Sequence, residues 1–313
     1  MEIKVPKGKY VVAVSGGIDS MVLLDILAKQ VTGNRLRVTE RKKTNSNLQP
    51  VTSNLELIVA HFNHGIRPDT KKDEEFVREE VERRQLPFEV GYGKLGPDAS
   101  EEQARNARYR FLNEVKKKHQ AAAIVTAHHQ DDLIETAIIN LLRGTGRRGL
   151  TAITGNPDIV RPLLHLSKKD ILAYARENKL EWREDPTNKD ERYLRNFVRL
   201  RITPKLNRSQ RRQFLQKIQN LGNTNQIINQ EIENLSQKLV KGKTIDRPSF
   251  IALPTEVASE ALIHFLRQNN IREFDKKTIE RLTVAIKTAK AGTKHEIVKG
   301  EKLEVTRSSA LLE

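Results

Sequence analysis

The apolar run Tyr10-Val11-Val12-Ala13-Val14, followed at once by Ser15-Gly16-Gly17-Ile18-Asp19-Ser20, constrains this chain more than any other stretch. A short, uninterrupted, β-branched run is the signature of a strand buried on both faces of a parallel sheet. From Met21 to Leu27 the apolar residues fall at helical spacing, so the six residues between form a strand-to-helix turn. Two glycines let successive backbone N–H groups converge on an anion, and the helix start adds the positive end of its dipole. Ser15 and Ser20 can donate hydroxyl protons, and Asp19 can hold Mg²⁺ or orient a nucleophile. The spacing is neither that of the Walker loop nor that of the dinucleotide fingerprint. The turn reads as a phosphate site, against the bland alternative of an ordinary glycine turn.

Strand and helix alternate beyond it. Leu57 to Ala60 reads as a second strand ending in His61-Phe62-Asn63-His64-Gly65-Ile66-Arg67. A charged helix over about 70–84 and a strand near 87–91 come next. Ser100 with Gln103 forms a capping box opening a helix to about Lys118. Ala122 to Thr126 is another strand, running into Ala127-His128-His129-Gln130-Asp131-Asp132 and a helix to Arg143. A further helix, capped by Ser167 and Asp170, extends to about Asn178. The polar stretch 44–54 reads as a surface insertion. The expectation is an α/β fold, a doubly wound parallel sheet, with ligands beyond the carboxyl ends of its strands. Three strands end there in polar clusters.

The remainder is organised differently. A basic segment carrying Arg192, Arg195, Arg199, Arg201, Lys205, Arg208, Arg211 and Arg212 leads into a long amphipathic helix over about 209–241. Two helices near 255–267 and 275–290 and short strands around 295–298 and 303–306 follow, with a hairpin turn at Lys299-Gly300. The expected division is a catalytic domain over 1–205, a helical linker over 206–243 and a small α+β C-terminal domain over 244–313.

Composition narrows the chemistry. The 313 residues contain no cysteine, which excludes disulfides, thiolate zinc sites and catalytic thiols. No apolar run approaches membrane-spanning length and the N-terminus lacks a signal-type apolar region, so a soluble protein within a cell or organelle is expected. The formal net charge of +16 exceeds what a nucleotide requires and suits a polyphosphate backbone.

Several constellations have two readings. Arg105 and Arg108 share a side of one helix; they are either a guanidinium fork for charge developing on a reacting group or a solvated basic flank. Asp132 and Glu135, three apart, are either dipole-favoured anions near a helix start or an acidic pocket for an amine. His61, His64, His128 and His129 suit phosphate hydrogen bonding or core polar roles better than zinc. Arg195, Arg199 and Arg201 fit phosphate-backbone contact or a solvated face.

The turn resembles the SGGxDS loop of the N-type ATP pyrophosphatases, the PP-loop superfamily. Within it, about residues 10–205 resemble the tRNA(Ile)-lysidine synthetase family. The resemblance runs through 15–20, 61–67, SEEQARNARYRFL (100–112), TAHHQDDLIET (126–136), LLRGTGRRGL (141–150), RPLL (161–164) and EDPTNKDERYLRNFVR (184–199). It implies a ligase that uses ATP, with Mg²⁺, to adenylate the C2 oxygen of the wobble cytidine in a CAU-anticodon isoleucine tRNA. The amine of L-lysine then displaces AMP. By that resemblance Ser15, Gly16, Gly17, Ile18, Asp19, Ser20 and His61 bind ATP, and Asp19 and Arg108 are catalytic. Asp132 and Glu135 hold lysine; Arg105, Arg195, Arg199, Arg201 and the C-terminal domain hold tRNA. No firm metal ligand follows, Mg²⁺ coming with ATP and with Asp19 as the one candidate. The implied location is the bacterial cytoplasm or a plastid stroma, with no membrane partner, and the oligomeric state stays open, a homodimer included. A 2-thiocytidine-type modifier is the runner-up, disfavoured by the missing cysteines. NAD or GMP synthetase shares the loop but not the basic segment, and a non-enzymatic RNA-binding protein with a degenerate loop is the remaining alternative.

Overall fold

The computed structural model describes residues 3–42, 55–65, 69–93, 95–96, 99–153, 156 and 158–313. The expected insertion at 44–54 lies outside them, as do Ile66 and Arg67. The chain forms two compact units, Met1–Gln219 and Asn220–Glu313.

The first unit contains β1 (Gly8–Ala13), α1 (Ile18–Lys42), β2 (Leu55–Asn63), α2 (Thr70–Arg83), β3 (Phe88–Tyr92) and α3 (Glu101–Lys118). After these come β4 (Ala123–Val125), α4 (Gln130–Leu142), the single turn α5 (Arg147–Leu150), β5 (Ile159–Val160), α6 (Lys168–Glu177) and the short α7 (Leu194–Phe197). The five strands form one parallel sheet in the order β3-β2-β1-β4-β5. The order reverses between β1 and β4, which opens a crevice beyond their carboxyl ends.

Both sheet faces are covered, which is why β1 is uninterruptedly apolar from Tyr10 to Ala13. Val12 packs with Val22, Leu23 and Leu27 of α1 and Ile171 of α6 on one face. On the other, Val11, Ile58 and Ile124 meet Leu112 and Val115 of α3. Phe111 lies so close to Gly91 of β3 that a Cβ there would come within 2.5 Å of its ring. α3 begins with the expected Ser100–Gln103 capping box. It runs back from the carboxyl end of the sheet, leaving Arg105 and Arg108 near that end.

A long helix, α8 (Arg208–Leu239), is capped by Asn207 and Gln210, each side chain accepting the other's backbone N–H at 2.9 Å. It begins in the first unit, where Phe214, Leu215 and Ile218 pack with Leu133 and Ala137 of α4.

The second unit adds β6 (Val240–Lys241), β7 (Thr244–Asp246), α9 (Arg247–Ile251), α10 (Thr255–Gln268), α11 (Lys276–Thr288), β8 (Thr293–Val298), β9 (Glu301–Val305) and β10 (Ser309–Leu312). Its antiparallel sheet runs β6-β7-β10-β9-β8. The Lys299-Gly300 turn joins β8 to β9, with Gly300 at φ +93°, a conformation that suits glycine. The core is Phe250, Leu262, Phe265, Leu282, Ile286 and Leu303 with their neighbours. Arg247 is buried, and its guanidinium donates to the carbonyls of Ile286 at 2.7 Å, Ala289 at 2.6 Å and Thr306 at 2.6 Å.

Candidate active site

At the end of β1, Gly16 adopts φ +89°, a left-handed conformation that disfavours any other residue. Ser20 Oγ donates to the Gly17 carbonyl at 2.8 Å and accepts the Ser15 N–H at 3.2 Å, which folds the loop back on its own helix start. The nearest heavy atom to a Cβ at Gly17 would be Ser15 Oγ at 3.6 Å, ordinary van der Waals contact. Packing therefore does not demand a glycine at 17, and its bareness leaves backbone open to a close ligand. α1 starts at Ile18, so its first N–H groups meet that space. The loop fits a polyphosphate.

His61 closes one side of the loop. It is buried at the end of β2, and its Nδ1 donates to the Val14 carbonyl at 2.9 Å. Burial outweighs that bond and holds its pKa below the usual range, so the ring is neutral.

From Asp19 a continuous line of charges crosses the crevice. Lys168, at the start of α6, donates to Asp19 Oδ1 at 2.5 Å. His129 Nε2 lies 3.6 Å from Asp19 and 3.4 Å from Asp132. Burial opposes ionisation of Asp19, but His129 and Lys168 outweigh it and lower its pKa to about 2. Burial likewise opposes charge on His129, while Asp19 and Asp132 prevail and raise its pKa. The Asp131 N–H donates to His129 Nδ1 at 3.2 Å, which keeps the neutral ring's proton on Nε2, facing the carboxylates.

Asp132 also caps α4, accepting the His129 N–H at 3.0 Å. Glu135 lies one turn further along the same helix and is 1% exposed. Both oxygens of Glu135 accept from Arg199, each at 2.8 Å, and Arg199 lies 3.5 Å from Asp132. Burial raises the pKa of Glu135, with Arg199 opposing and Asp132 reinforcing. Asp132 is thus both a dipole-favoured cap and a member of the acidic pair. Among the described residues no group of three or more His, Asp or Glu forms a metal cage. Asp19 alone could contribute to a cation brought in by a ligand's phosphates.

The structure separates the three arginines that sequence spacing groups together. Arg195 donates to Thr136 Oγ1 at 2.9 Å and Arg199 binds Glu135, so both turn towards α4. Arg201 is exposed and pairs with Glu191 at 2.8 Å. The three side chains thus take different partners, since residues two apart on a helical turn, as Arg199 and Arg201 are, do not face the same way. Asn196 between them is a staple, donating to the carbonyls of Thr187 at 2.8 Å and Asp190 at 2.9 Å. Lys168 is the site residue that sequence reasoning missed. Its only signal was its place at the start of a capped helix.

On the α3 side, Arg105 and Arg108 lie over the Tyr109 ring, at 5.0 and 5.5 Å from its centroid. Burial depresses the pKa of Arg108, with Tyr109 opposing and Arg105 and Arg195 reinforcing.

The PP-loop domain model matches residues 2–206. The chain is 32% identical over 288 residues to the tRNA(Ile)-lysidine synthase of Thermosipho africanus, covering 88% of this chain and 61% of that one. It is 38% identical over 206 residues to the tRNA(Ile)-lysidine synthase of Thermotoga sp. strain RQ2, covering 63% of this chain and 45% of that one. The chain thus spans about half of the curated relatives' length. Among solved structures, the U34-tRNA thiolase NcsA of Methanococcus maripaludis, with its [4Fe-4S] cluster, superposes with a TM-score of 0.53 at 18% identity. That likeness covers 69% of this chain and 73% of that one, and it speaks to fold. With the loop, the strand order and the matched span agreeing, this chain belongs to the PP-loop domain family.

Proposed function

We propose that the protein is a tRNA(Ile)-lysidine synthase, an ATP-dependent ligase joining L-lysine to the wobble cytidine of a CAU-anticodon tRNA. The observation that carries this reading is the position of His129. It lies 3.6 Å from Asp19 of the phosphate loop and 3.4 Å from Asp132 of the acidic pair, so nucleotide and amine would meet at one strand end. The names of the relatives support it.

In the first step the cytosine C2 oxygen attacks the α-phosphorus of ATP, forming a C–O–P linkage as pyrophosphate leaves. The backbone of 15–20 holds the departing phosphates, His61 flanks the loop, and Arg108 faces the charge that develops. Mg²⁺ would neutralise phosphate charge when bound, with Asp19 as the protein's contribution to holding it. In the second step a lysine amine attacks C2, the C–O bond breaks, AMP leaves and the amine gives up a proton. Asp132 and Glu135 hold and orient the lysine, although Glu135 already carries one cation in Arg199. Arg105, Arg195, Arg201 and the unit containing 244–313 contribute to tRNA contact. A bacterial cytoplasm or plastid stroma would supply that tRNA.

Incubating the protein with ATP, lysine and total tRNA, then digesting to nucleosides for mass spectrometry, tests the reading. Lysidine should form on CAU-anticodon tRNA and not on the same body carrying UAU. Efficient transfer to the UAU form would remove the cytidine assignment, because uracil lacks the N4 donor that such a pocket must pair.

A further inference from the structure

His128 and His129 leave the end of β4 towards opposite surroundings. His129 lies among the carboxylates described above. His128, its Nδ1 2.8 Å from Thr126 Oγ1, lies in the field of Arg161, Arg108 and Arg105. Burial first, and those guanidinium groups next, lower its pKa to about 3 against the pull of Asp132, so the ring is neutral.

This side of the crevice has more donors than acceptors. Arg161 follows β5 directly; its Nη1 donates to the Ile159 carbonyl at 3.1 Å, while its Nε is buried and has no hydrogen-bond partner among the described residues. The Tyr109 hydroxyl is likewise buried with no partner among the described residues. The Arg105 guanidinium lies over the Tyr109 ring, 5.0 Å from its centroid. The two nearby acids are engaged elsewhere, Glu101 with Arg195 at 3.8 Å and Asp132 with Arg199 and the His129 backbone. Buried donors without acceptors destabilise a fold unless a ligand supplies the acceptors.

We propose that Arg161, Arg105 and Tyr109 form a second anion subsite, which takes a backbone phosphodiester of the RNA substrate. The inference rests on the RNA-modifying reading above. Two guanidinium groups and one hydroxyl match the two non-bridging oxygens of a diester. The phosphate loop at β1 already serves a nucleotide's phosphates. β5 lies two strands from β1 in the sheet, roughly 10 Å away at ordinary strand spacing. A diester held here fixes the register of the strand beside the reacting base without reading its sequence.

The test uses the full chain and a synthetic stem-loop RNA with a CAU loop, titrated at several salt concentrations, with ATP binding measured separately. Arg161→Gln should weaken RNA binding about tenfold and flatten the log K against log salt slope by about 0.7–0.9, leaving ATP affinity in place. Arg161→Lys should recover the slope. Tyr109→Phe, which keeps the ring and every charge, should weaken binding severalfold at unchanged slope, and serves if Arg161→Gln fails to fold. Unchanged RNA affinity and slope in Arg161→Gln would overturn the proposal, as would lost ATP affinity with RNA binding intact. Lysine transfer by the unaltered protein is followed in parallel. Lysidine formation with Arg161-independent RNA binding overturns the subsite alone. Absent lysidine with Arg161-dependent binding overturns the enzymatic reading and leaves the subsite standing.

Discussion

Arg199 and Glu135 form a two-pronged ion pair, with both guanidinium–carboxylate distances at 2.8 Å, that ties the basic segment to the helix bearing the acidic pair. Glu135 is essentially inaccessible, while the Arg199 side chain is 36% exposed. Removing one partner therefore leaves the worse-placed charge alone. Arg199→Ala is expected to cost roughly 2 kcal/mol, less than a fully buried pair because solvent reaches the guanidinium. Arg199→Met combined with Glu135→Leu should regain most of it. Urea unfolding of the variants checks this, and a double variant no more stable than Arg199→Ala would contradict it.

Stability should respond to pH in opposite senses at the two adjacent histidines. His129 is raised in the folded state, so its contribution is fully present below 6.5 and is lost as pH climbs through its folded value. His128 is lowered to about 3, so the unfolded chain takes up a proton first and stability falls as pH drops from 6.5 towards 3. His128→Gln should therefore gain stability at pH 4.5 relative to pH 7. His129→Gln should lose its acid-side advantage. Parallel pH profiles for both variants and the unaltered chain would contradict the two environments.

Asp19→Asn should leave the fold intact and reduce pyrophosphate release from ATP about 10²–10³-fold, the usual loss for one well-placed electrostatic group. The amide keeps the shape and drops the charge that Lys168 and His129 now balance. Release near the unaltered rate, measured with a folded variant, would remove Asp19 from the chemistry.

Of Arg195, Arg199 and Arg201, Arg201 is the most exposed, at 62%, and its partner Glu191 is half-buried. Arg201→Gln should weaken tRNA binding and lower the magnitude of the salt slope by about 0.7–0.9. If affinity and slope stay as they were, the side chain is a solvated partner of Glu191.

Much of the first unit could be read from local pattern. Tyr10–Val14, Leu57–Ala60 and Ala122–Thr126 are apolar because both sheet faces are covered, and the Ser100 and Ser167 caps mark their helices by side chains three residues apart. β5 has two residues and β10 has four, too few to carry a period. Their pairing depends on distant partners, as where Ser309 meets Asp246. The site divides in the same way. The loop at 15–20 is local, but Lys168 reaches Asp19 from 149 positions away. Arg199 sits in a π-helical turn at Val198–Ile202, and its direction towards Glu135 is a matter of packing.

In the second unit, β7 pairs with β10, and Arg247 reaches the carbonyl of Thr306 just ahead of β10. β7 and the last strand, β10, are consequently a clasp, and the clasp shuts late, because its halves are more than sixty residues apart in the chain. Damage to it does not scale with the number of residues removed. Cutting away the four residues of β10 strands the apolar partners of Ala310 and Leu312 in water and unties Thr306, whose N–H donates to the Ser309 carbonyl at 2.8 Å and whose own carbonyl is one of the three that Arg247 uses. Cutting away everything from Asn220 onward takes the clasp and its dependants together, and the parallel sheet keeps its own core. For this chain, the short truncation is the more disruptive one.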